Sequence, residues 1–447
     1  MIIIAPQWEK VTPAVHSCFG AWQKQGVVLR HTEDWENGKA LTIFPSTVLD
    51  CGKQRRFYYS LNAFSDHNYN LALAEQNRKG KITKHPLQRD CEGYFTLTGL
   101  PEEFRPLQAN VLRLSRNDWR MYFWAHNHVG GRHVRFMVAS SRNGLNWQML
   151  SDSQAIAFCH HGDVLCQQGK WPLQRQCNDA TTIYQRPDRS WELYSAALMY
   201  YPAGQQCPDN KDMREKLIRM IQRWTSPDGH SWSTPEVIIL PDDQDPADLQ
   251  FYYLTSTDLE SYRFGLLGRY NSRVRQLTIE PVWSLDGRSW QRPYRENCLP
   301  LLEDAQKVYM VVPAQQLLRA GDTLTLYYSI CNYDHSHVTC DGSEPQEAIA
   351  AAQISARRLF GLRLQEGQVR SPAIRWCREH LQLHLSADAA LQLRWCDAFG
   401  SVLEAMAPVP LSGQGGAPVR VAVPAAQQGR VARLLLSGTG TLFDLEY

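Results

Sequence analysis

The chain has no long hydrophobic run: nothing in its 447 residues approaches the roughly 20 consecutive apolar residues that a membrane-spanning helix needs. It has no excess of one charge either, with 47 Lys and Arg against 45 Asp and Glu and a formal net charge of +2. A protein that neutralises a nucleic-acid backbone carries a basic excess or stripe, so neither nucleic acid nor membrane is an expected partner. The 12 cysteines form no CxxC pair and no framework spacing. Reduced thiols, several buried as small hydrophobes, are the simplest account. The opening MIIIAPQWEKV has neither the apolar length nor the basic flank of a secretory signal, and the expectation is a cytoplasmic protein. No long amphipathic helical pattern occurs. Aromatics, by contrast, are plentiful: 14 Trp, 19 Tyr and 14 Phe exclude a solvated polymer and supply a large core.

Three segments share the pattern Ser-x-Asp/Asn-Gly-x-x-Trp: Ser141 to Trp147, Ser226 to Trp232 and Ser284 to Trp290. Asp-Gly or Asn-Gly supplies the positive φ angles of a tight hairpin, and the Trp caps the returning strand with a large apolar face. A second element recurs alongside them, an apolar strand, a polar turn and an aromatic-rich strand. Residues 42–49 lead to Arg56-Phe-Tyr-Tyr-Ser60, 109–114 to Arg120-Met-Tyr-Phe-Trp124, and 180–184 to Trp191-Glu-Leu-Tyr-Ser195. Residues 308–312 lead to 323–329, and a less regular copy runs from Gln250 to 263–267. Five copies fit the blades of a β-propeller. Beyond about residue 362 the aromatics thin out and short alternating strands follow. The expected fold is therefore all-β, a five-bladed β-propeller over 1–361 followed by a small antiparallel β-sandwich over 362–447.

This arrangement resembles the glycoside hydrolases of the arabinanase/β-xylosidase and invertase/levansucrase superfamily. It is most similar to bacterial members whose tails carry Leu-x-Leu-x-x-x-Asp-Ala-x-Gly, as at Leu391 to Gly400. The resemblance implies an enzyme acting on a small oligosaccharide or glycoconjugate through carboxylates near the starts of the innermost strands. Such chemistry needs two facing carboxyls, one of them with a raised pKa. The sequence departs from the better-known signatures, having no Trp-Met-Asn-Asp-Pro, no Arg-Asp-Pro and no Glu-Cys, which argues against an invertase.

The inner-strand starts offer Asp179, beside Asn178, as the leading carboxylate, with a turn-capping role as its rival. Glu36, beside Trp35 as a sugar-stacking face, and Asp248 are the other catalytic candidates. The loops after the aromatic strands supply Asp66, His67, His126, His128, Asp334, His335 and His337, and the segment before the third inner strand adds His160, His161 and Asp163. In a ring of repeats, equivalent sequence positions become neighbours, and His, Asp, Asn and aromatic groups suit sugar hydroxyls and ring faces. No cofactor is expected beyond a structural cation in the channel. The alternatives are a non-catalytic propeller that binds a glycan or a protein, and a metal-dependent enzyme built on the His-x-His pairs.

Overall fold

In the computed structural model of the chain, the described residues are 2–36, 40–42, 46–62, 69–127, 129, 131, 133–150, 156–160, 176–177, 180–200, 217–303, 306–336, 338–339 and 342–447. Among them, regular structure consists of β-strands and short 3-10 turns.

Five antiparallel meanders follow one another. The first runs Val48–Asp50, Gln54–Asn62, Asn70–Asn77 and Ile82–Pro86, with Ala40–Thr42 also pairing with its second strand. The next are Arg105–Arg113, Trp119–Asn127, His133–Ser141 and Asn146–Met149, then Thr182–Gln185, Trp191–Tyr200, Leu217–Ser226 and Glu236–Ile239. The fourth is Leu249–Asp258, Arg263–Asn271, Gln276–Ser284 and Trp290–Gln291. The fifth comprises Met310–Pro313, Thr323–Cys331 and Glu347–Ser355, and its outer strand is Gln23–Leu29 from the N-terminal part of the chain. The aromatic strands are the second strands, and both of their faces are buried. Phe57 and Tyr59 pack with Leu29 and Tyr327, while Tyr58 between them packs with Phe95, Trp119 and Trp147 on the other side. Strand alternation thus places apolar side chains in two cores at once.

The three Ser-x-Asp/Asn-Gly-x-x-Trp hairpins latch the second, third and fourth meanders each to its predecessor. Ser226 Oγ accepts the amides of Asp228 and Gly229, and Asp228 Oδ1 accepts those of His230 and Ser231. The glycine carbonyl left at the tip accepts a tyrosine hydroxyl from the preceding second strand: Tyr58 to Gly144 (2.8 Å), Tyr122 to Gly229 (3.1 Å) and Tyr194 to Gly287 (3.0 Å). Gly229 sits at φ +78, and a Cβ there would meet Tyr122 Oη at 2.6 Å. Left-handed strain and overpacking add, so Gly229→Ala is expected to cost about 2–3 kcal/mol. Denaturant unfolding measures it, and a loss below about 0.5 kcal/mol, the size of an ordinary surface change, would remove the latch from the account.

A closed circuit of hydrogen bonds joins the first strands. Val111 N donates to Thr47 Oγ1 (2.7 Å), Asn110 Nδ2 to Thr181 O (3.0 Å), Thr182 Oγ1 to Leu254 O (2.7 Å), Tyr253 Oη to Val311 O (3.0 Å) and Gln315 N to Ser46 O (2.8 Å). The five first strands run in one direction, because Leu49, Arg113, Arg186, Asp258 and Leu318, at or just past their ends, line one cavity. That is the far end of the circuit. At the opposite, entry end, first strands begin and second strands finish, as in the pairs Arg105 with His126, Leu249 with Asn271 and Met310 with Cys331.

Residues 2–19 fall within the expected 1–361 unit, yet their strands pair elsewhere. Ile2–Ile4 pairs with Val431–Glu446, and both Glu9–Lys10 and Val15–Phe19 pair with Phe360–Arg370. Ile3, Trp8 and Val15 share one hydrophobic cluster with Leu381, Leu393, Trp395 and Leu436. The physical reason is non-local: a three-residue apolar strand carries no signal of its partner.

At the seam between the fifth meander and the C-terminal strands, Asp444 is buried with Oδ1 3.7 Å from His384 Nε2 and Oδ2 4.0 Å from Arg357 Nη1. Burial, helped by Asp322, Glu446 and Glu260 and opposed by Arg357, pushes its carboxyl from 3.8 up to about 8. The folded chain therefore keeps a proton that the unfolded chain gives up. This contribution is full below about pH 4 and is lost as pH rises towards 8. His384, its pKa lowered by burial and by Arg357, acts in the opposite sense only below its ordinary 6.5. Between about pH 6.5 and 8, wild-type stability is expected to fall by about 1–2 kcal/mol more than that of Asp444→Asn. Parallel urea melts at the two pH values check this, and identical slopes would contradict it.

Candidate functional site

Several of the expected site residues lie outside the described residues: Asp66, His67, His128, His161, Asp163, Asn178, Asp179 and His337. His160 closes the strand Ile156–His160, which pairs with His133–Ser141. The remaining six divide into two groups.

Glu36 and Trp35 are structural. The Glu36 carboxylate is fully buried. It accepts Thr32 N (2.9 Å), Glu33 N (3.1 Å), Tyr59 Oη (2.8 Å) and Lys84 Nζ (2.6 Å to Oε2, 2.8 Å to Oε1). Burial raises its pKa, but the bonds from Lys84, Thr32 and Tyr59 outweigh burial and hold it below the usual carboxylate range. A carboxylate with both oxygens engaged and a depressed pKa is suited neither to donate a proton nor to attack. Trp35 packs against the core that contains Leu29, Phe57 and Tyr59, not as an open platform.

The other four sit at the entry end. His126 is buried, cross-strand from Arg105, with the Tyr69 ring edge-on at 5.0 Å. Asp248 immediately precedes the first strand Leu249–Asp258 and lies 3.4 Å from Arg273 Nε. Asp334 Oδ1 accepts the amides of Ser336 and Val338, and its Oδ2 lies 3.5 Å from Arg275 Nη1. His335 donates its amide to Arg275 O, and its Nε2 lies 2.7 Å from Tyr252 Oη.

Around His335 the structure assembles a cluster that the sequence reading missed. Arg219, buried on the third meander, has its guanidinium 4.8 Å from the Tyr252 ring and 4.9 Å from the Tyr270 ring. Its N and Nη1 both donate to Gln250 Oε1 (3.2 and 3.3 Å). The His335 ring lies 5.1 Å from Tyr252 and 5.2 Å from Tyr270. Three meanders thus contribute one cation, one imidazole, one amide and two phenols. The available signal was Arg219 itself, a charge set between Ile218 and Met220 in an apolar strand. Glu347 also starts its strand at this end, 3.9 Å from His31 Nε2.

The backbone here departs from regular strand. Register shifts between Leu107 and Asn110 and between Phe251 and Leu254 bend two first strands, and such bulges re-aim side chains beside functional sites. Gln108 (φ 54) and Ala180 (φ 57) adopt left-handed conformations. They are tied together, with Ala180 N donating to Gln108 Oε1 (3.2 Å) and Gln108 N to Ser60 Oγ (2.7 Å). Non-glycine residues hold such geometry only where the surroundings over-determine it. Burial pushes the Cys331 thiol up to about 12, so it stays protonated at neutral pH. Among the described residues no group of three or more His, Cys, Asp or Glu is placed to hold a metal ion.

No protein-family model and no curated protein matches the chain. Solved structures similar to it include a glycoside hydrolase at 12% identity, covering 75% of this chain and 92% of that one with a TM-score of 0.47. Another is CoXyl43, a GH43 β-xylosidase/α-arabinofuranosidase from a compost microbial metagenome in complex with xylotriose (12% identity, 74% and 95% coverage, TM-score 0.45). A third is an N-acetylgalactosamine deacetylase from F. plautii in complex with blood group B trisaccharide (13% identity, 77% and 96% coverage, TM-score 0.46).

Proposed function

We propose that the five meanders are the blades of a five-bladed β-propeller, closed by Gln23–Leu29 and followed by a small β-sandwich that takes in the N-terminal strands. On this reading the chain is a cytoplasmic glycoside hydrolase or transglycosidase acting on a small oligosaccharide or glycoconjugate at the entry end. The observation that carries the reading is the cluster of Arg219, Gln250, Tyr252, Tyr270 and His335, gathered from three blades at one end of the circuit. Phenol faces and fixed polar edges in one place suit a hydroxyl-rich ring, which is stacked on a face and bonded at its rim.

Catalysis is assigned to Asp179, whose neighbour Ala180 is buried in the strained pair with Gln108, with Asp248 or Glu347 as the opposing carboxyl. Glu36 leaves the set, because its charge is used to hold residues 32–36 onto Lys84 and Tyr59. Hydrolysis by two carboxyls requires no cofactor. Turnover of aryl glycosides and oligosaccharides by the purified chain tests the proposal. At least one glycoside is expected to be cleaved, with cleavage weakened by His335→Ala. Absence of turnover across the panel, with sugar binding retained, would replace the enzyme by a glycan-binding propeller.

A further inference from the structure

The far end of the circuit holds a cavity of about 460 Å³, to which all five meanders contribute, Leu49, Arg113, Arg186, Asp258 and Arg319 among them. Gln315 is a buried part of its lining and is bound from several sides. Tyr184 Oη donates to Gln315 O (2.6 Å), Thr47 Oγ1 lies 2.6 Å from Gln315 Oε1, and Gln315 Nε2 donates to Ile183 O. Tyr184 Oη in turn accepts Ser256 N (2.8 Å). These bonds tie Gln315, on the fifth meander, to the first and third and, through Tyr184, to the fourth.

The charge of the lining is one-sided. Three guanidiniums, Arg113, Arg186 and Arg319, face one carboxylate, Asp258, and no lysine or other acid lines the space among the described residues. Arg186 is buried and held in place: Nε bonds Glu192 (2.5 Å), Nη1 bonds Asp258 (3.0 Å), and Nη2 lies 3.3 Å from both Tyr194 Oη and Ser256 Oγ. Arg113 lies over the Trp119 ring at 5.3 Å and pairs with no carboxylate among the described residues. Arg319 reaches Glu260, outside the lining. A fixed buried guanidinium flanked by two exposed ones, in a space large enough for a small metabolite, is the arrangement that recognises oxyanions through charge-assisted bonds.

We propose that this far-end cavity is a binding site for a small multivalent oxyanion, a phosphorylated or polycarboxylate molecule, separate from the entry-end site. The anion takes its bonds from Arg113 and Arg319, on opposite sides of Arg186 in the blade order, and Asp258 sets a preference for ligands that also offer a hydroxyl donor.

Thermal unfolding of the full chain at low ionic strength, titrated with pyrophosphate, with citrate and with glucose as an uncharged control, tests this. A site-bound anion raises Tm saturably with concentration. Pyrophosphate, citrate or both are expected to do so, with an apparent Kd below about 1 mM, and whichever binds names the class. Arg113→Ala and Arg319→Ala, both at exposed positions, are each expected to weaken binding about tenfold, the loss of one charge-assisted bond, while His335→Ala at the entry end leaves it unchanged. The proposal fails if neither anion gives a saturable rise, if glucose does as well, or if the double variant Arg113→Ala/Arg319→Ala keeps the wild-type response.

Discussion

Asp179→Asn is expected to leave the chain folded and to lower glycoside turnover about 10²–10⁴-fold, the usual worth of a positioned acid or base. The substitution keeps volume and most hydrogen-bonding capacity, so stability is expected to change by about 1 kcal/mol or less. The next residue, Ala180, is fully buried at φ 57, and its amide is bonded to Gln108 on the adjoining first strand. Strain of about 1–3 kcal/mol at such a residue persists only where the neighbourhood imposes it, and bulges in the adjoining first strands mark the same level of the circuit. A charge carried there can orient a substrate or accept its proton. Steady-state kinetics on the best substrate of the panel, with a parallel melt, decides the matter. A well-folded variant that keeps more than about half of wild-type turnover, far above the range for a catalytic acid or base, makes Asp179 structural and moves the chemistry to Asp248 and Glu347.

Glu192→Ala is expected to be the most damaging single change to stability, at about 3–5 kcal/mol, because removing one partner leaves buried charge uncompensated. Glu192 is buried and accepts from three guanidiniums: Arg186 Nε (2.5 Å), Arg223 Nη2 (2.5 Å) and Arg263 Nη1 (2.7 Å). Tyr194 Oη also lies 3.1 Å away. Burial raises its pKa, but the three arginines prevail and hold the carboxyl down to about 2. Its stabilising effect is therefore present above about pH 4.5 and lost only as pH falls from there towards 2. Glu192→Gln keeps the shape without the charge and is expected to fall between wild type and Glu192→Ala. Guanidinium melts measure both variants, and a loss below about 1 kcal/mol for Glu192→Ala, within reach of an exposed ion pair, would show that the arginines find other partners.

Much of the fold was legible because its signals are local. An Asn-Gly or Asp-Gly pair can be read as a hairpin from the φ requirement alone, and the three hairpins stand where the sequence placed them, at Gly144, Gly229 and Gly287. Their tyrosine latches were not legible, since Tyr58, Tyr122 and Tyr194 reach across to the following meander. The N-terminal strands escaped for the same reason, Ile2 pairing with Glu446 at the other end of the chain. At the site, the rule that loops after second strands face the entry end singled out Asp334 and His335, and also His126, which stands on the second strand Trp119–Asn127 rather than after it. It could not separate an acid available to substrate from one already spent, and Glu36 belongs to the second kind once Lys84 folds against it. Arg219, Gln250, Tyr252 and Tyr270 come from strands of two meanders, and no spacing in the sequence brings them together.

A crystal structure of Asp179→Asn with the oligosaccharide it has ceased to cleave would show where the sugar lies relative to residue 179. The sugar is expected at the entry end, against Tyr252 or His335, with the side chain of residue 179 within hydrogen-bonding reach, about 2.6–3.2 Å, of the substrate. A sugar bound only away from that end, or a residue 179 turned from it, would contradict the account.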